Sequence, residues 1–181
     1  MRTASVAICL LASIAAAFAD TPCSCDPAKP ETMKERQCSL CTEAEKQPSG
    51  EEIFFLKDIN PRKPNRWLVL PRVHRDGLHS LADFPPDLRT RYLTAAIEKA
   101  KSLWGDEWAI AYNGDRVRTQ CHTHIHVGKL LPGVEAGEFT VAASIAEIRV
   151  PPEGSGFWVH PVEGKMHVHT GEQIAETVLL R

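Results

Sequence analysis

Three histidines alternate with other residues in the segment 120–127, which reads Gln-Cys-His-Thr-His-Ile-His-Val. A period of two predicts a strand that turns His122, His124 and His126 to one face. No packing rule asks for such a row, because these positions would otherwise bury aliphatic side chains. Imidazoles serve as nucleophiles, proton carriers and metal ligands. The segment therefore predicts a functional site, against the alternative of a solvated histidine face.

The length and charge of the chain narrow its class. With 181 residues the chain can form one domain around a single core. Its formal net charge of −2 supplies no basic field for a nucleic-acid duplex, so we expect no nucleic-acid partner. Nothing after residue 19 is long and apolar enough to be transmembrane.

The first 19 residues have the pattern of a signal peptide. Arg2 is followed by an apolar run over 6–17 and by Ala17-Phe18-Ala19, a small-x-small pattern that predicts cleavage before Asp20. We therefore expect an exported protein, periplasmic or secreted. The same run could instead remain as an uncleaved membrane anchor.

Five cysteines follow the predicted cut: Cys23, Cys25, Cys38, Cys41 and Cys121. In an exported protein such residues are normally oxidised, so Cys38 or Cys41 can form a bridge to the Cys23-x-Cys25 pair. The two-residue spacing of Cys38 and Cys41 also suits a redox dithiol or two thiolates on one zinc ion. The spacing alone leaves these three readings open.

Apolar patterns divide the remainder into an α+β chain. We expect residues 20–50 to form a Cys-rich arm, attached either by a disulfide or by contributing metal ligands, with a short helical stretch over 31–46. Residues 51–135 should form the core, and 136–181 a β-rich extension of the same domain. Strands over 53–56 and 67–70 form a hairpin, and a helix runs over 83–104. A strand over 108–112 leads through an Asn113-Gly114 hairpin turn to the histidine strand. Tail strands are expected over 139–141, 145–150, 157–159 and 166–169.

This order of elements, together with the histidine strand, resembles the histidine triad (HIT) superfamily of nucleotide hydrolases and transferases. The resemblance covers roughly residues 38–132. It implies a HIT-like antiparallel sheet with one main helix. Zinc-bearing members of the superfamily carry a Cys-x-x-Cys, a Pro-basic-x-His and the triad. On that basis the resemblance implies a structural zinc site made of Cys38, Cys41, His74 and His122.

The resemblance also implies roles for individual residues. His124 matches the nucleophile, and we expect a backbone carbonyl to fix its neutral tautomer. His126 would hold the phosphate or protonate the leaving oxygen, and His122 completes the catalytic triad. Asn113 and Gln120 would donate to the phosphate, and Asp58 would contact the ribose. Asn113 can equally be a turn residue with positive φ, and Asp58 a solvated turn carboxylate.

Two departures bear on the substrate. The run Arg118-Thr119-Gln120 before the triad is similar to the CDP-diacylglycerol pyrophosphatase branch, and Val127-Gly128-Lys129 stands where hydrolases usually continue with Pro-Arg. We therefore expect a hydrolase of nucleotidyl phosphoric anhydrides or esters that forms a nucleotidyl-histidine intermediate. The alternative is cleavage of CDP-diacylglycerol to CMP and phosphatidate. The partners implied are a nucleotide or nucleotide-lipid substrate, a nearby membrane surface and a second copy in a homodimer.

A hypothesis from another class is a non-catalytic periplasmic metal-binding protein. Its basis is the eight histidines and the five cysteines after the predicted cut. The tail adds His160, His167 and His169, of which the last two alternate as on a strand. These two rings could bind substrate or metal, or they could face solvent on an edge strand.

Overall fold

A seven-stranded antiparallel sheet organises the chain in the computed structural model, which describes residues 23–73, 79–134, 137–152 and 154–181. The strand order is β1-β2-β4-β3-β6-β7-β5. The strands are β1 Ile53–Lys57, β2 Trp67–Pro71, β3 Trp108–Tyr112, β4 Ile125–Lys129, β5 Phe139–Ala142, β6 Phe157–Val162 and β7 Lys165–Thr170. The helices are α1 Ser39–Glu45 and α2 Pro86–Trp104. The predicted α+β class is confirmed, whereas the predicted signal peptide lies outside the described residues.

Helix α2 covers one face of the sheet. Pro86 stands in its first turn and Gly105, with φ of 54°, ends it. Its buried residues recur at helical spacing and form one core with Ile125 and Val127 of β4; they are Tyr92, Leu93, Ala96, Ile97 and Ala100. In the described part of the chain no helix combines the length and apolar character needed to cross a membrane.

The strands of the C-terminal extension continue the same sheet. Strand β6 pairs with β3, β7 pairs with β6, and β5 forms the edge beyond β7. The last residues then return to β4, where the Leu180 amide donates to the Lys129 carbonyl at 2.8 Å. Residues 175–179 thereby cover the sheet face opposite α2, where Ala175, Val178 and Leu179 pack on Ala109 and Ala111.

Three predicted elements differ from the structure. The histidine strand begins only at Ile125, so His122 and His124 lie in the irregular segment before it. Residues 145–150 contain a 3-10 turn, Ile145–Glu147, in place of a strand. Strands β3 and β4 are joined by the long connection 113–124, which contains the 3-10 turn Asp115–Val117, and not by a hairpin turn at Asn113-Gly114.

The Asn113-Gly114 pair packs closely against two other segments instead of forming a hairpin turn. Gly114 has φ of −59°, and Glu163 is the one residue other than glycine with positive φ in the described ranges, so Asn113 is not a positive-φ turn residue. The Gly114 amide donates to the Gln173 carbonyl at 2.8 Å. A Cβ at Gly114 would lie 2.7 Å from the Gly154 carbonyl oxygen. Glycine is needed here because two other segments approach its backbone closely.

Two disulfides attach the N-terminal arm to the loop that precedes the triad. Cys23 is bonded to Cys121 and Cys25 to Cys38, with Cα–Cα distances of 5.2 and 5.5 Å. The Cys121 amide also donates to the Gln37 carbonyl at 2.9 Å. Cys41 is in neither disulfide; burial raises the pKa of its thiol to about 11. Such disulfides are typical of proteins that fold in an oxidising, exported environment.

These pairings predict the result of cysteine mapping. When the protein is unfolded in denaturant and chelator without reductant, iodoacetamide should alkylate Cys41 alone among the five cysteines from Cys23 onward. Cys23, Cys25, Cys38 and Cys121 should react only after reduction, because each is held in a disulfide. Peptide mass spectrometry measures both steps. Alkylation of Cys38 together with Cys41 before reduction, as for a thiolate pair, would contradict the pairing.

Candidate active site

His124 and His126 meet at the start of β4 on the sheet face opposite α2. Their ring centroids lie 4.9 Å apart, edge to face. Each residue is 6% exposed, so both rings are largely removed from water. His126 is paired with Leu68 of β2 and Ala111 of β3, while its neighbours Ile125 and Val127 face α2. The alternation of the strand thus separates the imidazole from the core.

The His124 ring is held in one neutral tautomer. Its Nδ1 lies 2.8 Å from the carbonyl oxygen of His122, so Nδ1 carries the proton and donates. Burial lowers the pKa of His124 to about 4, and the charge of Arg118 acts in the same direction. At neutral pH the ring is therefore uncharged, with a lone pair on Nε2. A backbone carbonyl in this role is what the sequence led us to expect.

His126 lies between an amide and a carboxylate. Its Nε2 is 3.4 Å from Asn113 Nδ2 and its Nδ1 is 3.7 Å from Glu176 Oε2. Burial and the neighbouring His124 lower the pKa of His126 well below its usual value. Because the amide nitrogen Nδ2 can only donate, Asn113 favours the His126 tautomer with the proton on Nδ1, which faces Glu176.

Glu176 organises this end of the site from the C-terminal 3-10 turn Ala175–Val178. Its amide donates to Asn113 Oδ1 at 2.9 Å, and its Oε1 accepts from Asn113 Nδ2 at 3.3 Å. Its Oε2 accepts from Arg66 Nη1 at 2.6 Å and pairs with Lys63. Burial acts to raise the pKa of Glu176, but the groups that face it, the His126 ring and the cations Lys63 and Arg66, lower it to about 2. Lys63 and Arg66 thus keep the carboxylate ionised beside a neutral His126.

His122 has a different environment from the other two triad histidines. It is fully buried, and its Nε2 donates to the Pro71 carbonyl at 2.7 Å. Its backbone amide donates to the Cys41 sulfur. His122 therefore attaches the irregular histidine segment to the end of β2, and its catalytic role stays a prediction.

The structure corrects the zinc role predicted for Cys38. A sulfur bonded to Cys25 has no thiolate to offer a metal, so the set of Cys38, Cys41, His74 and His122 does not fit one zinc ion here. His74 lies outside the described residues, and Cys41 and His122 are in contact as stated above. The bridge to the Cys23-x-Cys25 pair, which the sequence left open, takes the place of that site.

Two predicted substrate-binding residues have structural contacts. Gln120 accepts from Ser39 Oγ at 2.8 Å and donates to the Arg36 carbonyl at 3.1 Å, so its amide attaches the N-terminal arm. Asp58 accepts from the Asn60 amide at 2.9 Å in an Asx turn. Its charge nevertheless reaches His124, whose pKa it acts to raise. Neither contact tests a role with substrate.

Four charged residues at the site were not predicted: Lys63, Arg66, Arg118 and Glu176. Arg118 is nearly buried, donates to Thr123 Oγ1 at 3.3 Å and pairs with Asp115 at 2.8 Å. It lines a cleft of about 720 Å³ with Gln120, His79 and the Cys23–Cys121 disulfide. Arg118 belongs to the run Arg118-Thr119-Gln120 that precedes the triad, whereas no sequence pattern marks Glu176.

Two groups in the described ranges have the geometry to hold a metal ion. One comprises Cys23, Cys25 and Cys121, whose sulfurs are in disulfides; the other comprises His160, His167 and His169. Neither group includes the residues of the predicted zinc site.

Comparison of the chain with protein-family models and with curated proteins finds no match. The family expectation therefore depends on the motif residues alone. What the geometry supplies is a neutral, oriented imidazole beside a second imidazole that has an amide and a carboxylate as neighbours. Such a pair can carry out nucleophilic attack followed by proton transfer.

The depressed pKa of His124 predicts acid destabilisation. Its folded-state pKa of about 4 lies below the unfolded value near 6.5, so the unfolded chain binds the proton first as pH falls. The contribution of the neutral His124 to the free energy of unfolding is complete above pH 6.5 and decreases as the pH falls towards 4. At pH 5 about 2 kcal/mol of it is lost. Urea unfolding at pH 7.5 and pH 5 should therefore show a smaller loss for His124→Asn than for the unsubstituted protein. Equal losses in the two proteins would contradict this assignment.

Proposed function

We propose that this protein hydrolyses nucleotidyl phosphoric anhydrides or esters through a covalent intermediate on His124. The observation that carries the proposal is the 2.8 Å contact between His124 Nδ1 and the His122 carbonyl. It leaves the lone pair on Nε2, and the lowered pKa keeps that lone pair free of a proton at neutral pH. In an ordinary solvated histidine the ring is fixed neither in one tautomer nor in the neutral state.

The reaction has two steps. In the first, His124 Nε2 attacks the α-phosphorus, the bond from phosphorus to the leaving oxygen breaks, and the leaving group takes a proton. In the second, water attacks the same phosphorus and gives a proton to His126, which gave its own to the leaving group; the P–N bond breaks, its electron pair returns to His124 Nε2, and the nucleoside monophosphate leaves with the water oxygen. His124 keeps its Nδ1 proton throughout, because the His122 carbonyl accepts from it.

His126 is our candidate for proton transfer. Burial keeps it neutral before substrate binds, but a phosphate anion beside it would raise its pKa. Glu176, 3.7 Å from Nδ1, is placed to stabilise the charged ring. Asn113 is already bonded to Glu176, so we assign it to orienting His126 before any contact with phosphate.

For the substrate class we favour a nucleotide ester with a bulky leaving group. The alternative is CDP-diacylglycerol, because the run 118–126 is similar to that of the CDP-diacylglycerol pyrophosphatases. The cleft of about 720 Å³ that Arg118 lines gives room for such a group, although its lining balances Arg116 and Arg118 with Asp83 and Asp115 and includes neither His124 nor His126. The two disulfides fit an exported protein, and we propose that it acts outside the cytoplasm, near a membrane surface in the lipid case.

The test compares His124→Asn with His122→Asn on a panel of nucleoside diphosphate esters that includes CDP-diacylglycerol in detergent micelles. His124→Asn should lower kcat by several orders of magnitude with little change in melting temperature, because the ring acts only in the chemical step. His122→Asn is the matched control from the same segment. It should lower the melting temperature, because the bond to Pro71 is lost, and reduce kcat much less.

The pH profile provides a second measurement on the same proteins. The acid limb of kcat/KM should lie near pH 4 and not near 6.5, since the free enzyme loses its nucleophile only when His124 is protonated. Full activity in His124→Asn would refute the proposal. Absence of turnover with every substrate would favour the non-catalytic metal-binding alternative.

A further inference from the structure

Three histidines of the C-terminal extension cluster at the far end of the sheet face that carries His126. His160 of β6 is paired directly with His167 of β7, and His169 is paired with Trp158. One ring nitrogen from each histidine lies within 4.8 Å of the other two. His160 Nε2 and His169 Nε2 are 3.2 Å apart.

This spacing fits tetrahedral coordination of a metal ion. With metal–nitrogen bonds of about 2.0–2.1 Å, two imidazole nitrogens on one tetrahedral ion lie about 3.3 Å apart. The 3.2 Å pair already has that separation. His167 then needs an approach of no more than about 1.5 Å to complete three ligands, on the same bond lengths. Movement of that size is open to it because its side chain is only partly buried.

Aromatic neighbours fix the orientation of the rings. The Trp158 ring stacks on His169 at a centroid distance of 3.7 Å, and Phe139 stacks on His167 at 3.9 Å. His160 and His169 are 2% and 3% exposed. His160 and His169 are therefore arranged before any ion arrives and only His167 has to move, which reduces the entropy cost of binding.

The cluster is separate from the active-site histidines. His126, Ala111, Trp158 and His169 occupy successive positions in one cross-strand row. His126 and His169 are thus three strand spacings apart, roughly 14 Å. One ion cannot bridge that distance. An ion bound by the three tail histidines therefore cannot also bind His126.

We infer that His160, His167 and His169 form a binding site for one divalent late transition metal, Zn²⁺ or Cu²⁺, with an open fourth position beside His167. Three imidazoles and no carboxylate select these ions over Mg²⁺ and Ca²⁺, which require oxygen ligands. Three protein ligands leave a coordination position for water or an external ligand. The site is additional to the proposed hydrolase function and does not depend on it.

The test titrates metal-free protein with Zn²⁺ alone at pH 7.5, without reductant, by calorimetry, and follows the melting temperature. One ion should bind per chain and raise the melting temperature. His167→Gln and His169→Gln should each weaken binding by more than roughly 100-fold, because loss of a mere orienting neighbour of a ligand already costs 10- to 100-fold. His167→Gln decides alone if His169→Gln does not fold, since His167 is only partly buried.

Two control variants separate this cluster from the other metal sites considered. His124→Asn and Cys41→Ala should both keep full-affinity binding, since neither residue belongs to the cluster. With Cu²⁺, the fluorescence of Trp158 should be quenched, and the electron paramagnetic resonance spectrum should show three nitrogen ligands. Absence of stoichiometric binding, unchanged affinity in His167→Gln, or loss of binding in Cys41→Ala or His124→Asn would overturn the inference.

Discussion

The buried ion pair between Arg66 and Glu176 holds the candidate active site together. Arg66 is 2% exposed, and besides Glu176 it donates to the Leu179 and Leu180 carbonyls at 2.5 and 3.2 Å. Removal of Glu176 would leave the buried Arg66 charge without its carboxylate partner, and such a loss typically costs about 3–5 kcal/mol. Through this pair the C-terminal segment is attached to the β1–β2 connection, and Glu176 in turn orients Asn113 beside His126.

Most of the fold follows from local patterns in the sequence. The α2 helix has a period of 3.6 residues over 88–100 and an N-terminal Pro86, and the structure confirms it with a start three residues later than predicted. The β1–β2 pair and β3 are likewise found where apolar runs predicted strands. His124 and His126 were identified because alternation of identical polar residues is rare in buried strands.

The remaining features depend on contacts between distant residues, which no local pattern encodes. Glu176 is one carboxylate in a tail of mixed composition, and it reaches Asn113 only because Gly114 lets Gln173 approach. The period of two in 122–126 predicts a strand throughout, but the buried Nε2 of His122 bonds to the Pro71 carbonyl and the backbone there leaves the ladder. For the cysteines, spacing could not distinguish thiolates from disulfides, because Cys38 pairs with Cys25 through the folded path of the arm.

The central claim is that His124 Nε2 forms a covalent bond to phosphorus, and trapping that bond tests it most directly. The protein is mixed with a turned-over nucleotide substrate, quenched in alkali within milliseconds, digested, and sequenced by tandem mass spectrometry. We expect a nucleoside monophosphate on the peptide that contains His124, localised to that residue, stable in alkali and labile in acid. Turnover without an adduct, or an adduct on His126 or another residue, would contradict it.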